Sequence, residues 1–161
     1  MNGAADAELV GYRHDGSGLE LPLPARWERA EEVSGCLLVA VEPKREPYFR
    51  ANVVVTLEVL DENASLREWS GRSTDALRES LNRLRLIDDE HLAVAGVPAR
   101  RLLAHYLHRE HGGLCLEQWL LLHAGIGQVV SCSTAALEYD DLFPLMSAIT
   151  AGFRPAQRLP Q

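Results

Sequence analysis

Residues 51–60, ANVVVTLEVL, alternate with period two: Ala51, Val53, Val55, Leu57 and Val59 share one face of a strand, and Asn52, Val54, Thr56, Glu58 and Leu60 share the other. The first face is wholly apolar and the second half apolar. A strand bordered by water on one side would be polar there, so this pattern predicts the middle of a sheet covered on both faces. Upstream, LVGYRHDGSGLELPLP reads as two short strands around the turn Asp15-Gly16-Ser17-Gly18, where glycine supplies the positive φ of a tight hairpin. ARWERAEEVSG reads as an irregular connection with Trp27 tucked beneath it. CLLVAVEP, residues 36–43, is an apolar strand ended by Pro43, and KREPYF a charged loop.

The period then changes. In ASLREWSGRSTDALRESLNRLRL, Leu66, Trp69, Leu77, Leu81 and Leu84 fall on one helical stripe, with a kink expected at Ser70-Gly71. Ser65 and Glu68 have capping-box spacing, which fixes the helix start. Strands are predicted at about residues 91–95, 99–109, 114–123 and 127–134, separated by Gly96-Val97-Pro98, Gly112-Gly113 and Gly125-Ile126-Gly127, an antiparallel meander. A last helix follows in EYDDLFPLMSAITAGF: Leu142, Leu145, Met146, Ile149 and Phe153 form its stripe, Asp140 or Asp141 caps it, Pro144 belongs in its first turn, and Gly152 marks its end. Strands, helix, strands, helix is an α+β order without the strand-helix alternation of a doubly wound sheet. It predicts a three-layer α/β/α sandwich, with one central antiparallel sheet of about six to seven strands and a helix on each face. Residues 1–8 read as a disordered leader, 9–155 as a single domain and 156–161 as a flexible tail, RPAQRLPQ as a whole being expected to fray.

Composition changes this picture little: 47% apolar and 24% charged residues are those of a globular chain that buries a core. A net charge of -7, with Lys44-Arg45 and Arg100-Arg101 the only adjacent basic pairs, argues against the clustered positive field that nucleic acid demands. The start MNGAADAELVGYRHDG has neither a basic opening nor the apolar core of a signal sequence, so no leader peptide, lipoprotein signal or membrane anchor is expected, and the cytoplasm is the expected location. Cys36, Cys115 and Cys132, odd in number and set in apolar runs without CxxC spacing, read as buried thiols.

Candidate chemistry is sparse. His105, His108 and His111 recur every third residue, but on a strand His105 and His111 lie about 20 Å apart with His108 pointing away, which fits a solvated hairpin end better than a tetrahedral metal site. GIGQVVS resembles a phosphate loop only superficially, since a strand and not a helix follows the glycines. Ser131 and Ser133 lack a nucleophile elbow, and the carboxylate pairs Glu31-Glu32, Asp88-Asp89 and Asp140-Asp141 read as solubility and capping residues. Among the aromatics Trp27, Tyr48, Phe49, Trp69, Tyr106 and Trp119, core packing is the default role. The surface singled out for partner binding is Tyr48, Phe49 and Arg50, because a charged loop carrying two aromatics is an unusual place for apolar area. No catalytic, cofactor or metal residue is assigned.

Asn52 before the valine run, the Gly96 and Pro98 turn, the pair Gln118-Trp119 and a terminal helix closing on Phe153-Arg154 together resemble the PsbP-like superfamily, most of all its bacterial DcrB and LpqN-type branch. The resemblance spans about residues 10–155 and implies the same α/β/α sandwich. It also implies a non-enzymatic function: binding another polypeptide, as an adaptor or chaperone linked to bacterial protein secretion, with a homodimer as one form. Two alternatives are carried forward. One is a carrier of an acyl chain or other apolar ligand, which requires an apolar-walled pocket of roughly 300 Å³ or more between helix and sheet. The other is a small enzyme, which would require a polar cavity gathering His105, Glu117 and an arginine.

Overall fold

The computed structural model describes residues 7–161. Most of the expected leader therefore lies outside the described residues; of the remainder, Ala7 packs on the edge of the core and the Glu8 carbonyl accepts from Ala25 N–H at 2.9 Å. Seven strands form one antiparallel sheet in the order β3 (Glu28–Val33), β4 (Cys36–Val41), β5 (Asn52–Val59), β9 (Ile126–Ala135), β8 (Gly112–His123), β7 (Val97–His108), β6 (Arg85–Val94). Separately, β1 (Leu9–His14) and β2 (Leu19–Pro24) pair as a two-stranded sheet. Two helices, α1 (Leu66–Ser80) and α2 (Tyr139–Ala151), the second preceded by a 3₁₀ turn (Ala136–Glu138), complete the α+β sandwich.

The valine strand β5 lies third in the sheet between β4 and β9, as two-sided apolarity demands. Its Val53 and Val55 join a large core with Leu19, Leu21 and Leu23 of β2, Trp119 and Leu121 of β8, and Leu142, Leu145, Met146 and Ile149 of α2. A smaller core on the opposite face is Trp69 of α1 over Leu102 and Leu120. Thus α2 and the β1–β2 hairpin cover one face, and α1 the other. Three hairpins close through two-residue turns, Ser34-Gly35, Ala95-Gly96 and Ala124-Gly125, in which both residues have positive φ. That mirror-image turn matches the right-handed twist of the strands it joins.

Several elements differ from expectation, each for a local reason. Residues 28–33 are an edge strand and not an irregular connection; every side chain there is exposed, so no alternation betrays it. Helix α1 ends at Ser80, so Leu81 and Leu84 leave the expected stripe; from Arg83 to Leu86 polar and apolar residues alternate with period two, which suits the edge strand β6 that starts at Arg85. No break occurs at Ser70-Gly71: α1 runs through both, and Ser70 Oγ instead accepts from Arg100 Nη1 at 3.0 Å. Pro98 lies within β7, opposite Ala93, instead of in the turn.

In α2, Glu138 and neither aspartate stands at the N-cap, without a side-chain cap; Asp140 and Asp141 occupy the first turn, where their charge favours the helix dipole. Pro144 is inside the helix, one residue beyond Phe143 on the exposed side, where water can satisfy the carbonyl it leaves unbonded. Gly152 ends α2 at φ -89°, not in a left-handed cap; a Cβ there would lie 2.5 Å from Pro22 Cδ, so close packing on β2 excludes it. The segment expected to fray is tied down instead. Arg154 and Glu20 exchange backbone hydrogen bonds, Gln157 N–H donates to Ser17 O, and fully buried Gln128 clasps Ala156 through both its amide atoms.

Both edges of the large sheet are blunted against further strand pairing. β3 is short and charged, and β6 carries Asp88, Asp89, Glu90 and His91, with a register shift between Leu86 and Asp88.

Candidate functional site

Glu42 closes the base of the loop between β4 and β5. Its buried carboxylate accepts from Ala51 N–H at 2.8 Å and Arg45 Nη2 at 3.0 Å, and its backbone carbonyl accepts from Arg50 Nε at 2.8 Å. Arg45 Nη2 also reaches Glu138 at 3.1 Å, which joins this loop to the 3₁₀ turn before α2. The hydrogen bond to Glu42 raises the Arg45 pKa, and the guanidinium stays charged. Its Cζ lies 5.4 Å from the centre of the Tyr48 ring, a cation–π distance.

The three residues singled out in the sequence diverge. Tyr48 is 62% exposed, while half-buried Phe49 turns sideways onto His111 with ring centres 5.2 Å apart. Arg50 lies 2.9 Å from Glu28 Oε2, an ion-pair distance without full hydrogen-bond geometry, and its Nε closes the loop onto the Glu42 carbonyl. Two residues passed over in the sequence add exposed apolar area on the segment that Arg45 ties to this loop: Leu137, 98% exposed on the 3₁₀ turn, and Phe143, 41% exposed on α2 with its ring 5.8 Å from that of Tyr139. Their signal was present, since both are large apolar residues off the buried stripe of α2. The Arg45–Glu138 pair brings the Tyr48 loop and the Leu137 turn to one end of the sheet.

Beneath this surface lies a buried polar cluster. Arg101 donates to Glu117 Oε2, as does the Tyr139 hydroxyl at 2.9 Å, and Arg101 also pairs with Asp88 at 2.9 Å and Glu90 at 3.3 Å. Burial opposes the Arg101 cation, but the Glu117 charge outweighs it and raises its pKa. Burial, then the bond to Glu117, pushes the Tyr139 phenol well above its ordinary range, so it stays a donor. Glu117 Oε1 and Thr134 Oγ1 are buried without a hydrogen-bond partner. The cluster joins β7, β8 and the start of α2, an arrangement for holding strands and helix in register.

Two surface cavities flank the sandwich. The first, about 350 Å³, lies at the start of α1 between Glu58–Asp61 and Trp69, with Glu68 and Arg72 on its wall. The second, about 470 Å³, is lined by Arg83, Leu84, Arg85, His105 and Leu107. His105 and Glu117, the pair that an enzymatic reading would require together, are diagonal neighbours on β7 and β8 but share no cavity: His105 lines the second cavity, and Glu117 is buried against Arg101 and lines neither. The three histidines of the hairpin do not converge either. His108 and His111 meet at the hairpin tip, ring centres 4.9 Å apart, away from the His105 cavity.

The seven-stranded antiparallel sheet, with α1 on one face and α2 and a β-hairpin on the other, is a fold that several solved structures share. Cyanobacterial PsbP (CyanoP) of Synechocystis matches with a TM-score of 0.70 at 16% identity over 92% of each chain. LpqN of Mycobacterium tuberculosis, involved in cell envelope biogenesis, matches with a TM-score of 0.70 at 15% identity, over 93% of this chain and 92% of its own. The Ran-binding protein Mog1p of Saccharomyces cerevisiae matches with a TM-score of 0.65 at 12% identity, over 92% of this chain and 96% of its own. No family model matches the sequence, and no curated protein matches it at a significant level.

Proposed function

We propose that this chain is a non-enzymatic protein-binding module whose contact surface is the end of the sandwich bearing Tyr48, Leu137 and Phe143. The observation that carries the reading is the exposure of these three large side chains, 62%, 98% and 41%, on segments joined by the Arg45–Glu138 pair. Aromatic and aliphatic anchors ringed by charged residues are the composition of a contact patch. That Mog1p, of the same fold, is a Ran-binding protein supports protein binding by this scaffold. The finer reading is a cytoplasmic adaptor or chaperone, nearest to the DcrB-like chaperones of bacterial secretion. It rests on the sequence resemblance over residues 10–155, with three unpaired thiols favouring a reducing compartment. The carrier alternative has less support: Trp69, Leu102 and Leu120 fill the space between α1 and the sheet, the cavity at the start of α1 has a polar wall, and the second cavity is bordered by two arginines. The test is affinity capture from the host with the wild-type protein and with Tyr48→Ser/Leu137→Ser/Phe143→Ser. A dominant polypeptide held by the first and lost from the second supports the reading, and a captured second copy of this chain would make the complex a homodimer. Equal capture by both would overturn it.

A further inference from the structure

The second cavity has a chemistry that the apolar surface does not explain. Its lining is mostly apolar, from Leu84, Leu107 and the stems of the long side chains, and it is bordered by Arg83, Arg85 and His105. Arg100 and Arg101 on the neighbouring strand are neutralised by Asp89, Asp88, Glu90 and Glu117, yet no ion pair among the described residues involves Arg83 or Arg85. A chain of net charge -7 thus keeps a cationic hollow without an internal counter-charge.

The hollow is built into the fold. Arg83 is held in the left-handed region, φ 53°, at the junction of α1 and β6, and the preceding Asn82 carbonyl accepts from Leu107 N–H at 3.0 Å, which fastens the junction to β7. Arg85 stands opposite His105 in the β6–β7 register. Gly113 makes room for the histidine: a Cβ there would lie 2.8 Å from His105 Nε2 and 3.6 Å from Ala136 Cβ. Ala136 precedes Leu137, so the cavity opens beside the apolar surface proposed for partner binding.

We infer that the cavity lined by Arg83, Arg85, His105, Leu84 and Leu107 receives an acidic side chain and an adjacent aliphatic one from the partner polypeptide. Two guanidinium groups favour a carboxylate, which accepts their N–H donors in paired geometry, and the leucines favour the apolar neighbour. This inference rests on the protein-binding reading and names the chemistry of the partner. A polypeptide fits the position because Gly113 packs beside both His105 and Ala136, the residue before Leu137, so one bound chain can reach the cavity and the exposed Leu137 together.

The test is selection of a displayed random dodecapeptide library on the full chain, followed by affinity measurements on the enriched peptides. Enriched sequences are expected to carry Asp or Glu beside Leu, Ile, Val or Phe. Their binding should weaken about tenfold or more in Arg83→Gln/Arg85→Gln, or when the peptide acid becomes its amide. Both arginines are exposed, so an unchanged melting temperature confirms an intact fold. Peptides lost on Leu137→Asp but indifferent to the arginine changes would overturn the cavity inference and leave the protein-binding reading standing. Enrichment without acidic residues, or no enrichment, would also overturn it. Arginine-dependent binding of decanoate in place of any peptide would overturn the polypeptide occupant in favour of a carrier.

Discussion

Gly127 on β9 lies directly beneath the indole of Trp69: a Cβ on that glycine would sit 2.6 Å from Cζ2 and 2.7 Å from Cε2. The indole cannot withdraw. It is 2% exposed, packs on Leu102 and Leu120, and donates from Nε1 to Glu58 Oε2 at 3.0 Å. Gly127→Ala must therefore push α1 off the sheet or break that hydrogen bond. The expected loss is about 1–3 kcal/mol of stability, the usual cost of overpacking, read as a lower urea midpoint. An unchanged midpoint would show that α1 is loosely seated.

The Arg101–Glu117 pair yields a second prediction. Glu117 is buried and Arg101 mostly so, and because Arg101 also has Asp88 and Glu90 while Glu117 has no other cation, removing the arginine leaves the glutamate's charge alone inside the protein. Arg101→Met alone is expected to cost about 3 kcal/mol, whereas Arg101→Met combined with Glu117→Leu should cost clearly less, because no buried charge remains. A double variant as unstable as the single one would show that the bonds to Tyr139 and Asp88 matter more than the charge.

Acid should weaken the contact between β6 and β7. The hydrogen bond from Arg100 lowers the Asp89 pKa in the folded state, so the unfolded chain takes up that proton at higher pH than the folded one. The pair accordingly stabilises above the unfolded Asp pKa, about 4, and its contribution disappears as pH falls through the lower folded value. The stability difference between the wild-type protein and Asp89→Asn should shrink with acidification below about pH 5. A constant difference would contradict this linkage.

Thiol labelling probes the same interior. Burial pushes the Cys132 thiol far up, with the Glu117 charge adding to it, and burial followed by the charges of Asp140 and Glu117 raises Cys115. Cys36, only partly buried on β4, should be the first to react with a disulfide reagent in native protein, and Cys132 only on unfolding. Rapid native labelling of Cys132 would mean that α2 opens readily.

The parts of the fold legible in the sequence are those where burial imposes a period. β5, β7, β8 and β9 alternate or run apolar because both their faces are covered, and the start of α1 shows in Ser65, whose Oγ accepts from Glu68 N–H at 3.1 Å. β3 left no trace because backbone pairing alone places it at the edge. The Leu81 and Leu84 error arose because leucines spaced by three continue a helix stripe, although Leu84 and Leu86, two apart, already alternate as in a strand. The binding surface was half legible. Tyr48 stands out as an aromatic in a charged loop, but Leu137 and Phe143 join it only through the Arg45–Glu138 pair, which spans 93 positions that no local pattern connects. The arginine-lined hollow likewise needs β6 laid beside β7.

The most direct test of the account is photocrosslinking in the native host, with a diazirine amino acid placed at Leu137 or, as a control on the opposite face, at Glu79 of α1. The account predicts one discrete polypeptide adduct from position 137, abolished by Tyr48→Ser/Phe143→Ser, and none from position 79. Identical adducts from both positions, or none from position 137, would contradict it.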